Sequence, residues 1–120
     1  MAEQPGLKTE QAEGVTIVSF QAAPVLDTLT TQRIARQLYE LVEGARAAKI
    51  LLDFEQVRFL ASQALGVLLT LRRKADKAGA RIAVARIRPE LVRVFQITTL
   101  DKLFDFFESI EDAITKLNEA

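Results

Sequence analysis

Lys49-Ile50-Leu51-Leu52-Asp53-Phe54-Glu55-Gln56-Val57-Arg58-Phe59-Leu60-Ala61-Ser62-Gln63-Ala64-Leu65-Gly66 decides the fold. A near-continuous apolar run, Lys49 to Phe54, reads as a strand buried on both faces of a parallel sheet. It ends in a polar turn, and an amphipathic helix follows. That helix places Ala61, Ala64, Leu65, Leu68, Leu71, Ala75 and Ala78 on one face and Thr70, Arg72, Arg73, Lys74, Asp76 and Lys77 on the other. Gly79 stops it. Strand, turn and helix in this order are half of a βαβ unit, and the turn between them carries the most informative hydroxyl in the chain.

Ser62 sits where the helix begins, at the positive end of its dipole, a position that favours an added phosphate. The plain alternative is a helix cap, in which the hydroxyl accepts an orphan backbone N–H and contributes about 1 kcal/mol. Gly66 costs the helix about 1 kcal/mol relative to alanine, so the sequence predicts close backbone approach by a neighbouring element there. With Ala64 it implies a tightly seated turn that leaves Ser62 and Gln63 facing outward.

Outward from this centre the pattern repeats. Leu7 to Ala12 and Val15 to Phe20 read as a hairpin around Glu13-Gly14. Gln21 to Asp27 is a connection, and Thr28 to Gly44 a helix with Ile34, Leu38, Leu41 and Ala45 at helical spacing. Downstream, Arg81 to Arg86 alternates as a strand, and Pro89 occupies the first turn of a helix whose apolar side is Leu91, Val94 and Phe95. Leu103 to Phe107 reads as a last strand, with Ile110, Ala113, Ile114 and Leu117 marking a final helix. The order ββαβαβαβα predicts an α/β domain in which helices cover a mixed, largely parallel sheet. Residues 1–6 are expected to be disordered and residues 7–118 to form one domain.

Composition agrees and excludes much. The 120 residues suffice for one core, with 49% hydrophobic and 27% charged residues. There is no His and no Cys, which removes the usual zinc sites, disulfides and most nucleophile–base pairs. No phosphate-binding Gly-rich loop is present, so no cofactor and no enzymatic activity are expected. The start of the chain lacks the features of a signal peptide, and no run reaches a membrane span of ~18 residues; a cytoplasmic location is expected. Net charge is zero but uneven: residues 58–93 hold nine basic and two acidic side chains, whereas residues 101–120 hold two basic and six acidic. These basic residues are spread over helix, loop and strand ends without interleaved aromatics, so direct nucleic-acid binding is not expected. A basic rim that steers an acidic protein is the intermediate reading.

The segment Asp53 to Gly66 resembles the signature of STAS domains, the fold of bacterial anti-sigma-factor antagonists and of the regulatory domains of sulphate transporters. The family pattern, an apolar strand and then Asp-Leu-x-x-Val-x-Phe-x-Asp-Ser-Ser/Thr-Gly-Leu-Gly, is matched without gaps. Further matches fall at Gly79, Pro89, Leu91, Val94, Phe95, Leu100 and Phe104, and Val25-Leu26-Asp27 is similar to the family's Leu-Asp turn. The resemblance implies that Ser62 is the phosphoacceptor and that Asp27, Ala61, Ser62, Gln63, Ala64 and Gly66 meet a partner. That partner would be an ATP-binding serine-kinase anti-sigma factor. Departures are Ala61 for Asp, Gln63 for Ser or Thr, Ala64 for Gly, Thr99 for Gly and Pro24 for Gly. They leave a second reading open, a STAS adaptor or scaffold, in a transporter or signalling complex, that works without phosphorylation.

Overall fold

The computed structural model describes residues 6–21, 25–26, 28–43 and 48–119. The hairpin forms as expected: β1 (Gly6–Ala12) pairs antiparallel with β2 (Val15–Gln21). Glu13 and Gly14 both have positive φ, 52° and 81°, the geometry that a two-residue turn needs to match strand twist. Gly6, expected outside the domain, opens β1; residues 1–5 lie outside the described residues, as do Pro24, Asp27, Gly44 and Ala45.

After β3 (Val25–Leu26) the chain runs through α1 (Thr28–Glu43), β4 (Lys49–Asp53), β5 (Phe59–Leu60) and α2 (Ser62–Ala78). Then come β6 (Arg81–Ala85), α3 (Pro89–Ile97), a 3-10 turn (Leu100–Leu103), β7 (Asp105–Phe107) and α4 (Ile110–Leu117). Five strands make one sheet in the order β1-β2-β4-β6-β7, parallel from β2 onward. The expected mixed, largely parallel sheet is therefore present.

Alternation along the strands divides the core. Val18, Phe20, Ile50, Leu52, Ile82 and Val84 face α1, α2 and α3. Ile17, Leu51, Ala83 and Ala85 face α4. On the larger side a chain of edge-to-face rings runs Phe20–Phe54–Phe95, with centroids 5.1 and 6.4 Å apart, and ends on Phe104 and Phe106. Such pairs contribute about 0.5–1.5 kcal/mol each beyond their buried area. Phe54, in the interior of this chain of rings, immediately follows β4 and is fully buried, so the aromatic core passes directly beneath the turn that leads to Ser62.

Two departures from the sequence reading have local causes. Leu103 and Phe104 were expected to open the last strand, but the chain first makes a 3-10 turn, which buries Leu100 and Phe104. Thr99, immediately before it, lies in the left-handed region at φ 61°. This is where the STAS pattern often has glycine, and a β-branched residue there is strained. The second departure is the parallel pair of two-residue strands β3 and β5, with Val25 opposite Phe59 and Leu26 opposite Leu60. Two residues are too few to show a period of two.

Candidate functional site

The turn between β4 and α2 is held from below at every third residue. Phe54 and Val57 are completely buried and Leu60 nearly so, whereas Glu55, Gln56, Arg58 and Phe59 are exposed. The Val57 N–H donates to the Phe54 carbonyl at 2.9 Å, and the Phe54 N–H donates to Ala85 O at 3.0 Å, which continues the sheet by one residue. β5 then ties the end of the turn to β3. Ser62 is thus presented from a backbone fixed by apolar burial and backbone pairing on both sides.

Ser62 is not the cap of α2. The cap is Ala61, extended at φ −73° and ψ 159°, which offers no side-chain acceptor. Its carbonyl accepts the Ala64 N–H at 2.9 Å, but the remaining N–H groups of the first turn lack the oxygen that Ser, Asp or Asn would supply. Ser62 is the first helical residue. It is exposed, and among the described residues no hydrogen bond holds its hydroxyl. The capping reading of Ser62 is therefore corrected: the residue in the capping position is the one where this chain has Ala in place of the family's Asp.

The reading of Gly66 is also corrected. A Cβ built on it meets no atom within 4 Å, and the residue is exposed. Among the described residues no neighbouring element approaches, so the glycine leaves a low spot on the outer face of α2 one turn after Ser62. Gln63 is exposed beside them, and Ala61 is half-buried. Ala64 belongs to the core at 3% exposure, so it lines the underside of the turn instead of its surface. Asp27 lies outside the described residues. The structure thus brings Ser62, Gln63 and Gly66 together on one open surface with Ala61 at its edge.

Sequence reasoning missed the ion pair at the base of this turn. Asp53 ends β4 and points to the α4 side, where it is 7% exposed. Arg86 donates to it through Nε at 3.1 Å and Nη2 at 2.7 Å, and also meets Glu55 Oε1 at 3.1 Å. The Glu55 N–H donates to Asp53 Oδ1 at 3.1 Å. The hydrogen bond to Asp53 holds the Arg86 guanidinium above its ordinary pKa, against a smaller opposing effect of burial. Arg86 adopts φ 58°, and its N–H donates to Phe107 O at 3.0 Å. Left-handed backbone costs about 1–2 kcal/mol, offset here by two charge-assisted bonds. At the C-terminal end of this sheet face, beside the start of α4, lies a cleft of about 280 Å³ whose lining includes Asp53, Glu55, Arg86 and Ile110. A signal was available: an aspartate closing the apolar run Ile50 to Leu52 requires a partner, and Arg86 immediately follows the neighbouring strand.

Comparison with known proteins decides the family, since the model of the STAS domain matches residues 7–113. The chain belongs to the STAS domain family. It is 25% identical over 111 residues to the anti-sigma F factor antagonist of Paenibacillus polymyxa, an alignment covering 92% of this chain and 93% of that protein. Among solved structures, an anti-sigma-factor antagonist (STAS) domain protein from Planctomyces limnophilus superposes with a TM-score of 0.86 at 23% identity, covering 94% of this chain and 98% of that one. The Bacillus cell fate determinant SpoIIAA in its phosphorylated form shares the fold, with a TM-score of 0.73 at 18% identity, over 93% of this chain and 99% of that one. Among the described residues, no helix is long and apolar enough to cross a membrane.

Proposed function

We propose that this STAS domain is an anti-sigma-factor antagonist that binds an ATP-binding serine-kinase anti-sigma factor and is switched by phosphorylation of Ser62. The observation that carries the reading is the exposed hydroxyl of Ser62, bonded by none of the described residues, at the start of a helix whose cap supplies no side-chain oxygen. In the transfer, Ser62 Oγ attacks the γ-phosphorus of ATP held by the kinase. The Oγ–P bond forms, the bond to the β-phosphate oxygen breaks, the hydroxyl proton passes to a base of the kinase, and ADP leaves. This chain supplies the nucleophile and the surface around it, so it is a substrate and a binding partner, not an enzyme.

The phosphate would add about −1.5 to −2 charge. The unpaired N–H groups of α2 stabilise it in the free protein. At an interface fitted to a neutral hydroxyl the same charge is buried without a partner and drives release. The Paenibacillus polymyxa relative is an anti-sigma F factor antagonist, and the fold relative SpoIIAA has been solved phosphorylated. Both support this reading.

Ala61 favours a second reading, an adaptor that binds without a switch. Titration of the purified serine-kinase anti-sigma factor of the same organism separates them. The switch predicts that Ser62→Ala binds within about threefold of the wild type and that Ser62→Asp loses about 100-fold. Equal binding by Ser62→Asp and the wild type supports the adaptor.

A further inference from the structure

One face of α2 holds more than the acceptor. At 3.6 residues per turn, Ser62, Gly66, Leu69, Thr70, Arg73 and Lys77 fall within an arc of about 100°, and Ser62, Gly66, Arg73 and Lys77 are all exposed. The cations flanking this stripe are already neutralised within the protein. Arg72 Nε meets Asp76 at 2.8 Å, and Lys74 pairs with Glu43 and lies 5.2 Å from the Tyr39 ring centroid. Arg73 and Lys77, at the C-terminal end of the stripe, have no ion pair among the described residues. Lys77 is in the last turn, where it complements the helix dipole; Arg73 lies a turn earlier and has no such role.

We infer that the partner which covers Ser62 also presents an acidic surface to Arg73 and Lys77, and that these two residues steer its approach. The inference rests on the proposed function and adds the chemistry of the partner's rim. A standard interface buries about 800 Å² per side, a patch of roughly 16 Å radius. At 1.5 Å per residue, Arg73 lies about 16 Å and Lys77 about 22 Å along the axis from Ser62. A partner centred on Ser62 and seated against Gly66 therefore reaches Arg73 at its edge, and Lys77 lies about 6 Å beyond, within a Debye length of the rim. Rim charges act on association more than on dissociation.

The test is stopped-flow association with the purified serine-kinase anti-sigma factor, comparing the wild type with Arg73→Gln/Lys77→Gln at low and high salt. A control, Lys8→Gln/Lys116→Gln, removes the same charge elsewhere. The stripe variant should associate about tenfold more slowly at low salt, with dissociation unchanged within about twofold and the difference lost in high salt. The control should match the wild type. Equal association by the stripe variant and the wild type overturns the inference, and so does equal slowing by the control. If Ser62→Asp still abolishes binding in that case, the proposed function stands without it. If the wild type does not bind the kinase, both fall. Binding of duplex DNA that depends on Arg73 and Lys77 would assign the stripe to nucleic acid and overturn the inference.

Discussion

Two serines stand at the starts of helices in this domain, and they are used differently. Ser109 caps α4: its Oγ accepts the Asp112 N–H at 3.0 Å, and Glu111 and Asp112 place negative charge in the first turn. α4 therefore has the features that stabilise a helix start. Ser62 lies one residue too late to cap α2, whose capping position is Ala61 and whose first turn has no acid. The same residue type is structural in one place and unencumbered in the other. A helix start left uncapped, with an exposed hydroxyl that no described residue bonds and an exposed glycine one turn on, is the feature on which the proposed switch rests.

The difference can be broken or sharpened by substitution. The largest expected effect is on the support beneath the turn. Arg86→Ala leaves the buried Asp53 carboxylate with the Glu55 N–H as its one remaining partner among the described residues, and should lower unfolding free energy by about 2 kcal/mol, a value discounted because Arg86 is partly exposed. Urea denaturation measures this, and an unchanged midpoint would show that the apolar anchors alone hold the turn. Next, Ser109→Ala should destabilise by about 1 kcal/mol through loss of the cap. Gly66→Ala should stabilise by a similar amount, about 1 kcal/mol, because the added methyl meets open space, while weakening kinase binding in a titration. A stabilised variant with unaltered binding would remove Gly66 from the interface. Ala61→Asp restores an acceptor to the cap and should stabilise by about 0.5–1 kcal/mol. The smallest effect is expected for Ser62→Ala, below about 0.5 kcal/mol; a loss as large as that of Ser109→Ala would erase the contrast between the two serines.

Most of the layered fold was legible because the strands and helices bury regular apolar faces. The continuous apolar run Ile50-Leu51-Leu52 marks a strand buried on both faces, as the two core clusters bear out, and the spacing of Leu68, Leu71 and Ala75 assigns one side of α2 to the core. What escaped has no local period. β3 and β5 are two residues each and pair across 34 positions. Leu103 and Phe104 carry strand-like residues that the chain uses in a 3-10 turn and its exit. At the site, the position of Ser62 was legible from spacing, but its one-residue offset from the cap was not, because boundaries depend on backbone angles. Gly66 was misread because the cost of a helical glycine says that something is unusual without saying whether it is inside or outside. The Asp53–Arg86 pair joins residues 33 apart, and only the parallel register of β4 and β6 brings them together.

Site-resolved phosphorylation tests the central claim most directly. The wild-type domain, incubated with the purified serine-kinase anti-sigma factor and ATP, is digested and mapped by mass spectrometry. The expected result is a single phosphate on Ser62, absent in Ser62→Ala and unaffected in Ser109→Ala. A kinase that binds this domain yet leaves Ser62 unmodified, or that places the phosphate on another residue, would contradict it.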